Sequence, residues 1–488
     1  QINLKAVREI LYKVNINKVI GDTGTLIRNV VSDSREVIEK DLYIAIDGVN
    51  VNGHKFINSA IKKGAICIVC EVLPEKLHEG ILYVLVKSTR DSIGIISSNY
   101  FSNPSSKLKL IGVTGTNGKT TIATLLYSLY KTAGLKAGLI STVINYVDEK
   151  EMDSTQTTPD SLTINKLLYQ MVEEGIQYCF MEVSSHGIEQ RRISGLEFSG
   201  GIFSNLTHDH LDYHNSFEDY RDVKKDFFDN LPNTAFSLIN KDDKNGKYMV
   251  QNTKSRIFTY GLKTYADYKI KILEFSLEGM LLKINESEFW SNLSGRFNAY
   301  NLLAVFSTAS ILGMPFSETL QLMSMLKNVK GRFEYLKLNN ITAIVDYAHT
   351  PDALKNIINS INEIKTNKES LITIIGCGGN RDKSKRPVMG DIASSLSSKV
   401  IFTSDNPRNE SPEEIIQDMV SGVKPLNSVK TISIANRKEA IKTACQLAKS
   451  NDIILIAGKG HEKFQEINNK KHLFDDYKVV KECLTKMN

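Results

Sequence analysis

The sequence predicts an α/β protein of about three domains, and three observations carry that prediction. The stretch Leu108 to Thr121, LKLIGVTGTNGKTT, sets an apolar run against a glycine-rich turn and then a helix pattern. From about residue 331, apolar strands alternate regularly with helical stretches, as in a doubly wound parallel sheet. Before about residue 105, shorter strands and helices alternate and end in a linker, Phe101-Ser102-Asn103-Pro104-Ser105-Ser106. The expected divisions are residues 1–106, 107–330 and 331–488.

In the first division, Asp41 to Ile46 reads as a strand, Gly53 to Lys63 as a helix, and Ala65 to Val72 and Ile81 to Lys87 as further strands. The loop Ser32-Asp33-Ser34-Arg35 before them offers hydroxyls and a guanidinium, and reads equally well as a polar turn. Cys67 and Cys70 form a C-x-x-C, but residues three apart on a strand face opposite sides, so the reading is two small core residues. The six cysteines form no framework, which suits a reducing cytoplasm.

The second division opens on the glycine turn, with Gly112, Gly115 and Gly118 ahead of Lys119, Thr120 and Thr121. Strand, glycine loop, Lys-Thr and helix form a phosphate cradle. Backbone N–H groups face the anion, Lys119 adds charge near the outer phosphates, and the Thr120 hydroxyl suits Mg²⁺. The generic loop keeps four residues between Gly and Gly-Lys; here that position is Val113, so GTNGKT is a variant. Ile122, Leu125, Leu126 and Leu129 share one helix face, and Gly134 ends it.

Thr155-Gln156-Thr157-Thr158-Pro159-Asp160 precedes a helix that Pro159 is placed to start; the cluster is either a contact surface or a cap. Tyr178 to Val183 is an apolar strand interrupted by Glu182, placed for a Mg²⁺-directed acid beside the phosphate strand. Ser184, Ser185, His186, Gln190 and Arg192 follow as a polar loop. His208, Asp209, His210 and Asp212, with His214 behind, come with no cysteine near, and read as oxygen-and-imidazole chemistry around Mg²⁺ or phosphate. Lys224 and Lys225 sit in a helix capped by Ser216 and read by themselves as a surface pair. Leu293 to Asn298 leads into a helix containing Asn301.

The third division carries strands at 341–348, 371–379, 398–406, 429–436 and 451–460, with helices such as 411–422 and 437–449 between them. Such sheets bind ligands at the C-terminal ends of their strands. Those ends hold Asp346 and His349; Gly378, Gly379 and Arg381; Asp405, Asn406 and Arg408; then Lys459, His461 and Glu462. Charge and glycine recurring there argue for a site.

The chain carries 61 basic and 55 acidic residues, net +6, with no run of like charge, so nucleic acid is not expected as a partner. No apolar run reaches a spanning length and no basic-then-apolar leader is present, so neither a membrane nor secretion is expected.

GTNGKT, EVSSHG, DHLDYH, GRFE, DYAHTPDAL, GCGGNRDKSKRP, SDNPR and GKGHE occur in that order. On these motifs the whole chain resembles the Mur ligases, in particular the branch that adds the third peptide residue of the peptidoglycan precursor. The resemblance implies a uridine-nucleotide domain, a central ATPase-like domain and a Rossmann-like amino-acid domain, acting in the cytoplasm as a monomer. It implies ATP, two Mg²⁺ ions and an acyl-phosphate route to an amide. Gly115, Thr116, Asn117, Gly118, Lys119, Thr120, Thr121, Asn298, Arg332 and Asp346 are implied ATP contacts, with His349 beside them. Thr120, Glu182, His210 and Lys224 are implied to place the Mg²⁺ ions. Lys224 matches the family's carbamylated lysine, with Val223 where alanine is usual, and Lys225 is the neighbour set aside.

Ser32, Ser34 and residues Val49, Asn50 and Val51 fall where the family contacts the uridine nucleotide. Gln156, Thr157, Thr158, Ser184, Gln190 and Arg192 fall where it holds the muramoyl-dipeptide, the implied substrate being UDP-MurNAc-L-Ala-D-Glu. Asp405-Asn406-Pro407-Arg408 resembles the turn of the diaminopimelate-adding branch, with Arg381, Gly458 and Glu462 as its implied partners, so meso-diaminopimelate is the expected third residue. A second amino-acid head group carries a carboxylate, which a guanidinium can take bidentately. Lanthionine and lysine are the alternatives for that residue; a folylpoly-γ-glutamate synthetase-like ligase and a non-catalytic nucleotide-binding module are the alternatives for the chain.

Overall fold

The computed structural model describes residues 4–48, 51–154, 156–207, 214, 216–366 and 368–487, and its three large sheets follow one another in chain order. The first sheet runs Ile16–Ile20, Leu82–Val86, Cys67–Cys70, Leu42–Ile44, Val30–Val31, antiparallel at the first pair and parallel across the rest. Cys67 and Cys70 enter separate apolar clusters on its two faces, as a two-residue period requires. The expected helix from Gly53 is a 3₁₀ turn, Gly53–Phe56, followed by Ile57–Lys62. The cause is Asn52, whose side chain accepts from His54 N and tightens the first turn.

The central sheet runs Lys150–Met152, Asn145–Val147, Ala137–Ile140, Tyr178–Glu182, Lys109–Thr114, Gly200–Phe203, Phe236–Asn240, Arg256–Gly261, Tyr268–Lys269. Its middle strands are parallel, and Glu182 pairs in register with Val113. That register brings the one acidic residue of an apolar strand level with the start of the glycine turn. The helix Lys119–Thr132 buries Ile122, Leu125, Leu126 and Leu129 in the same cluster as Leu302 and Leu303 of the helix Arg296–Ile311. The helix expected to start at Pro159 is Ser161–Glu173; its cap is Asp160, whose carboxylate accepts from Thr163 N and leaves Pro159 outside. An antiparallel sheet of Lys271–Phe275, Met280–Ile284 and Ser287–Ser291 closes this body, with Met280, Leu282 and Ile284 alternating inward.

The third sheet runs Glu334–Leu338, Ile341–Asp346, Ile453–Ala457, Leu371–Ile375, Lys399–Phe402, Thr431–Ser433, with the first strand antiparallel and the rest parallel. The strands stop earlier than the sequence suggests, because the segments 376–379, 403–406 and 458–460 leave the sheet as loops. Behind those loops Arg437 and Asp476, both fully buried, pair at 2.7 Å. Arg437 also donates to the carbonyls of Ser404 and Ala457 at 3.3 and 3.0 Å. No helix of the described residues is long and apolar enough to cross a membrane.

Candidate active site

The glycine turn is held from behind by the segment 204–207. Gly115 has φ 145°, and a Cβ there would lie 2.0 Å from Ser204 Oγ, so no other residue fits. Asn117 N donates to Asn205 Oδ1 at 2.9 Å, and Thr207 N to Thr116 Oγ1 at 3.0 Å. Lys119 folds over its own loop, donating to the carbonyls of Gly115 and Thr116 at 2.9 and 3.0 Å. Gly118 begins the helix, followed by the buried Thr120 and Thr121.

Thr120 Oγ1 donates to Glu182 Oε2 at 2.9 Å, and Glu182 Oε1 accepts from Thr142 N at 2.8 Å. A hydroxyl and a fully buried carboxylate, side by side at a phosphate loop, are hard oxygen donors that fit Mg²⁺, the rest of whose shell phosphate oxygens and water can fill. Among the described residues no group of three His, Cys, Asp or Glu gathers as a metal site. The expected ligand His210 lies outside the described residues, as do His208, Asp209 and Asp212.

The two adjacent lysines part company. Lys224, 1% exposed, reaches the glycine turn and donates to Gly115 O at 3.0 Å. Lys225 turns elsewhere, to both carboxylate oxygens of Asp229 at 2.7 and 2.6 Å and to Asn252 Oδ1 at 2.7 Å.

The third body reaches the same turn. Arg332 Nη2 donates to Thr120 Oγ1 at 3.2 Å, Nη1 donates to His461 Nδ1 at 3.2 Å, and the guanidinium lies over the Tyr347 ring. Asn117 Nδ2 donates to Asp352 Oδ2 at 3.3 Å across the same boundary. Asp346 accepts from Phe333 N and Ala348 N at 2.7 and 2.8 Å, so it shapes the Arg332 loop; lost hydration raises its pKa against the pull of Arg332. Asn298 donates to Ser294 O and accepts from Asn301 Nδ2. Asn301, read from the sequence only as part of that helix, places its Oδ1 2.7 Å from where a Cβ on Gly118 would stand.

His461 is pushed down to about 3, first by burial and then by Arg332 and Lys459, so it accepts from Arg332 as a neutral ring. The unfolded chain takes up this proton below about pH 6.5 and the folded chain does not. The resulting stability is complete above that value and is lost as pH falls towards 3. Urea unfolding of His461→Gln between pH 7.5 and 5 is expected to show a smaller loss on acidification than the parent chain.

The residues expected to hold the dipeptide form one network at the end of the strand Tyr178–Glu182. Arg192 binds Gln190 Oε1 through Nε and Nη2, and Gln156 Oε1 and Thr158 O through Nη1. Thr158 Oγ1 donates to Glu182 O and accepts from Ser184 N, and Thr157 Oγ1 accepts from Thr142. Ser32 and Ser34 stand apart in the first body, where Ser34 O accepts from Lys63. Val49 and Asn50 lie outside the described residues.

On the facing body the turn 405–408 packs on a glycine pair. A Cβ on Gly379 would fall 1.9 Å from Pro407 O, and Gly379 N donates to Asn406 O at 2.9 Å. Arg408, with φ 52°, donates from Nη1 to Gly379 O at 2.8 Å. Lys459, fully buried, donates to Glu462 Oε2 at 2.7 Å and to Asn406 Oδ1 at 3.0 Å. Lost hydration and the neighbouring Asp405 raise the Glu462 pKa. Arg386, also buried, grips Glu410 and holds its carboxyl down at about 2, and Glu410 accepts from Asn380 N beside Arg381.

One cavity of about 750 Å³ joins these parts. Lys119 lines it, together with Gln156, Thr157, Thr158, Ser184 and Arg192 from the central body, and Arg381, Asp405, Asn406, Arg408, Gly458 and Glu462 from the third. His186, His349 and Lys385 line it as well. The glycine turn's Lys119, the polar network around Arg192 and a pocket with both charges therefore open on one space.

Family models described as Mur ligase family, catalytic domain, as Mur ligase middle domain, and as Mur ligase, glutamate ligase domain match residues 26–106, 113–309 and 331–460. A UDP-N-acetylmuramoyl-L-alanyl-D-glutamate–2,6-diaminopimelate ligase of Phocaeicola vulgatus is 52% identical over 475 residues, covering 97% of this chain and 98% of that protein. The protein of the same name from Bacteroides fragilis is 51% identical over 479 residues, covering 98% and 99%. A solved structure bearing that ligase's name superposes with a TM-score of 0.70 at 30% identity and covers 99% of both chains.

Proposed function

From the premise that this chain belongs to the Mur ligase family, we infer that it joins meso-diaminopimelate to UDP-MurNAc-L-Ala-D-Glu at the expense of ATP, in cytoplasmic peptidoglycan precursor synthesis. The observation that carries this reading is the shared cavity, which sets Lys119, the Gln156–Arg192 network and Arg408 around one space. Residues 1–106 hold the uridine nucleotide, with Ser32 and Ser34 at the contact. Residues 107–330 hold ATP, and residues 331–488 hold the incoming amino acid. The enzyme works as a monomer.

A carboxylate of the terminal glutamate attacks the γ-phosphorus of ATP, and the bond to ADP breaks, giving an acyl phosphate. The amine of diaminopimelate then attacks the acyl carbon, phosphate leaves, and the amine proton is released. The first step brings an anion to an anion, so cations must screen it. Lys119 and Arg332 bring positive charge to the phosphates. Arg192 orients the glutamate. Thr120, Glu182, His210 and a carbamylated Lys224 would hold Mg²⁺ as two ions, which would supply neutralising charge to the phosphates. The 405–408 turn, Arg381, Gly458 and Glu462 hold the far head group of diaminopimelate.

A coupled assay of ADP formation with diaminopimelate, lanthionine and lysine tests the substrate. Diaminopimelate is expected to give turnover, and lysine little, since it brings no carboxylate to Arg408. Arg408→Lys keeps the charge and loses the fork. It is expected to lower kcat/KM for diaminopimelate by about 2 kcal/mol or more, some thirtyfold. Unchanged kinetics remove Arg408 from the site.

A further inference from the structure

The hairpin Phe464–Ile467 and Lys470–Leu473 clasps the turn that reads the amino acid. Arg408 N donates to Glu466 O at 3.0 Å, and Asn468 N donates to Arg408 O at 2.7 Å. Glu466 N donates to Asn406 Oδ1 at 2.9 Å, and Gln465 Nε2 to Asp405 O at 2.6 Å. These bonds hold Arg408 in a left-handed conformation that a residue with a side chain seldom keeps unaided.

The Glu466 side chain continues that hold. Its Oε2 lies 3.3 Å from Arg408 Nε, with both side chains only about a quarter exposed. A guanidinium has five N–H groups in a fixed plane. Nε is the guanidinium nitrogen nearest Glu466, at ion-pair distance, and Nη1 donates to Gly379 O, so Nη2 and the second N–H of Nη1 are the end left to bind a carboxylate.

We propose that Glu466 is a specificity-determining positioning residue, which fixes the Arg408 guanidinium end-on to the distal carboxylate of the amino-acid substrate. This rests on the ligase reading above. The charges around the cavity agree with it. Asp405 and Glu462 both line the cavity, with Lys459 bonded to Glu462 at 2.7 Å, so that side of the pocket suits a cation. Arg381 and Arg408 both line the cavity, and Arg408 is paired with Glu466 behind it, so this side of the pocket suits an anion. One cation and one anion are what a zwitterionic head group supplies. A lysine side chain supplies only the first.

The test is steady-state kinetics of the full chain with each of the three substrates varied, for the parent, Glu466→Ala and Glu466→Gln, with thermal melting to confirm folding. Glu466→Ala is expected to raise KM for diaminopimelate about tenfold, the scale of one charge-assisted contact. KM for ATP and for the UDP-dipeptide is expected to hold, and the preference for diaminopimelate over lysine to narrow. Glu466→Gln, which keeps the shape and a side-chain oxygen beside Nε, is expected to recover part of the loss. An unchanged KM for diaminopimelate in Glu466→Ala overturns the proposal, and so does an equal rise in all three KM values, which marks general loosening. A parent chain that does not turn over diaminopimelate defeats the ligase reading itself, a result distinct from a working parent with an indifferent Glu466→Ala.

Discussion

Lys224→Ala is expected to lower kcat by about 10²- to 10³-fold, the scale on which removal of one oriented electrostatic group acts. Lys224 is buried against the glycine turn, bonded to Gly115 O, with its amine over the Tyr220 ring. An ammonium there repels Mg²⁺. Addition of CO₂ to the amine with loss of a proton would give an anionic carbamate, which would hold it. A short carboxylic acid supplied to Lys224→Ala is therefore expected to restore part of the rate, and single-turnover ADP formation with and without the acid checks this. Lys225→Ala breaks the pairing with Asp229 and Asn252. It is expected to cost about 1 kcal/mol of stability and little rate. Rescue of Lys225→Ala instead of Lys224→Ala moves the carbamate to the neighbouring residue.

The second large effect concerns stability. Arg437 and Asp476 are paired and fully buried, with a bidentate contact at 2.8 and 2.7 Å. Removing one partner strands the other charge out of water. Asp476→Asn is expected to destabilise by about 3–5 kcal/mol, read from urea unfolding. The double change Arg437→Met with Asp476→Leu leaves no stranded charge and is expected to recover much of that loss. Because Arg437 ties Ser404 O to Ala457 O, Asp476→Asn is also expected to raise KM for the amino acid more than KM for ATP.

Those two sites differ in how they show in the chain. The glycine turn, Glu182 and the charged strand ends of the third sheet were legible, because each follows an apolar run in which glycine and charge have no packing role. Lys224 was legible only by resemblance. Adjacent lysines on one helix look alike in sequence, and only the fold separates the one aimed at the loop from the one tied to Asp229. Arg437 and Asp476 were invisible. They lie 39 residues apart on two helices, and each looks like an ordinary solvated residue until packing brings them together. Glu466 escaped for a similar reason, since its role depends on a hairpin crossing over a turn some 60 residues earlier. The alternation in Met280–Ile284 was there to be read as a strand, and so was the extended pattern of Ser287–Ser291. Asp160, not Pro159, starts its helix, because a carboxylate that satisfies a helix N–H outweighs a ring that only fixes φ.

The proposed ligase couples ATP cleavage to amide formation between two specific substrates. Phosphate release, measured with each component omitted in turn and with the product weighed by mass spectrometry, tests it most directly. Release is expected only when ATP, UDP-MurNAc-L-Ala-D-Glu and diaminopimelate are all present, with a product equal in mass to the two joined substrates less one water. Sustained phosphate release with ATP alone, or with no joined product, contradicts it.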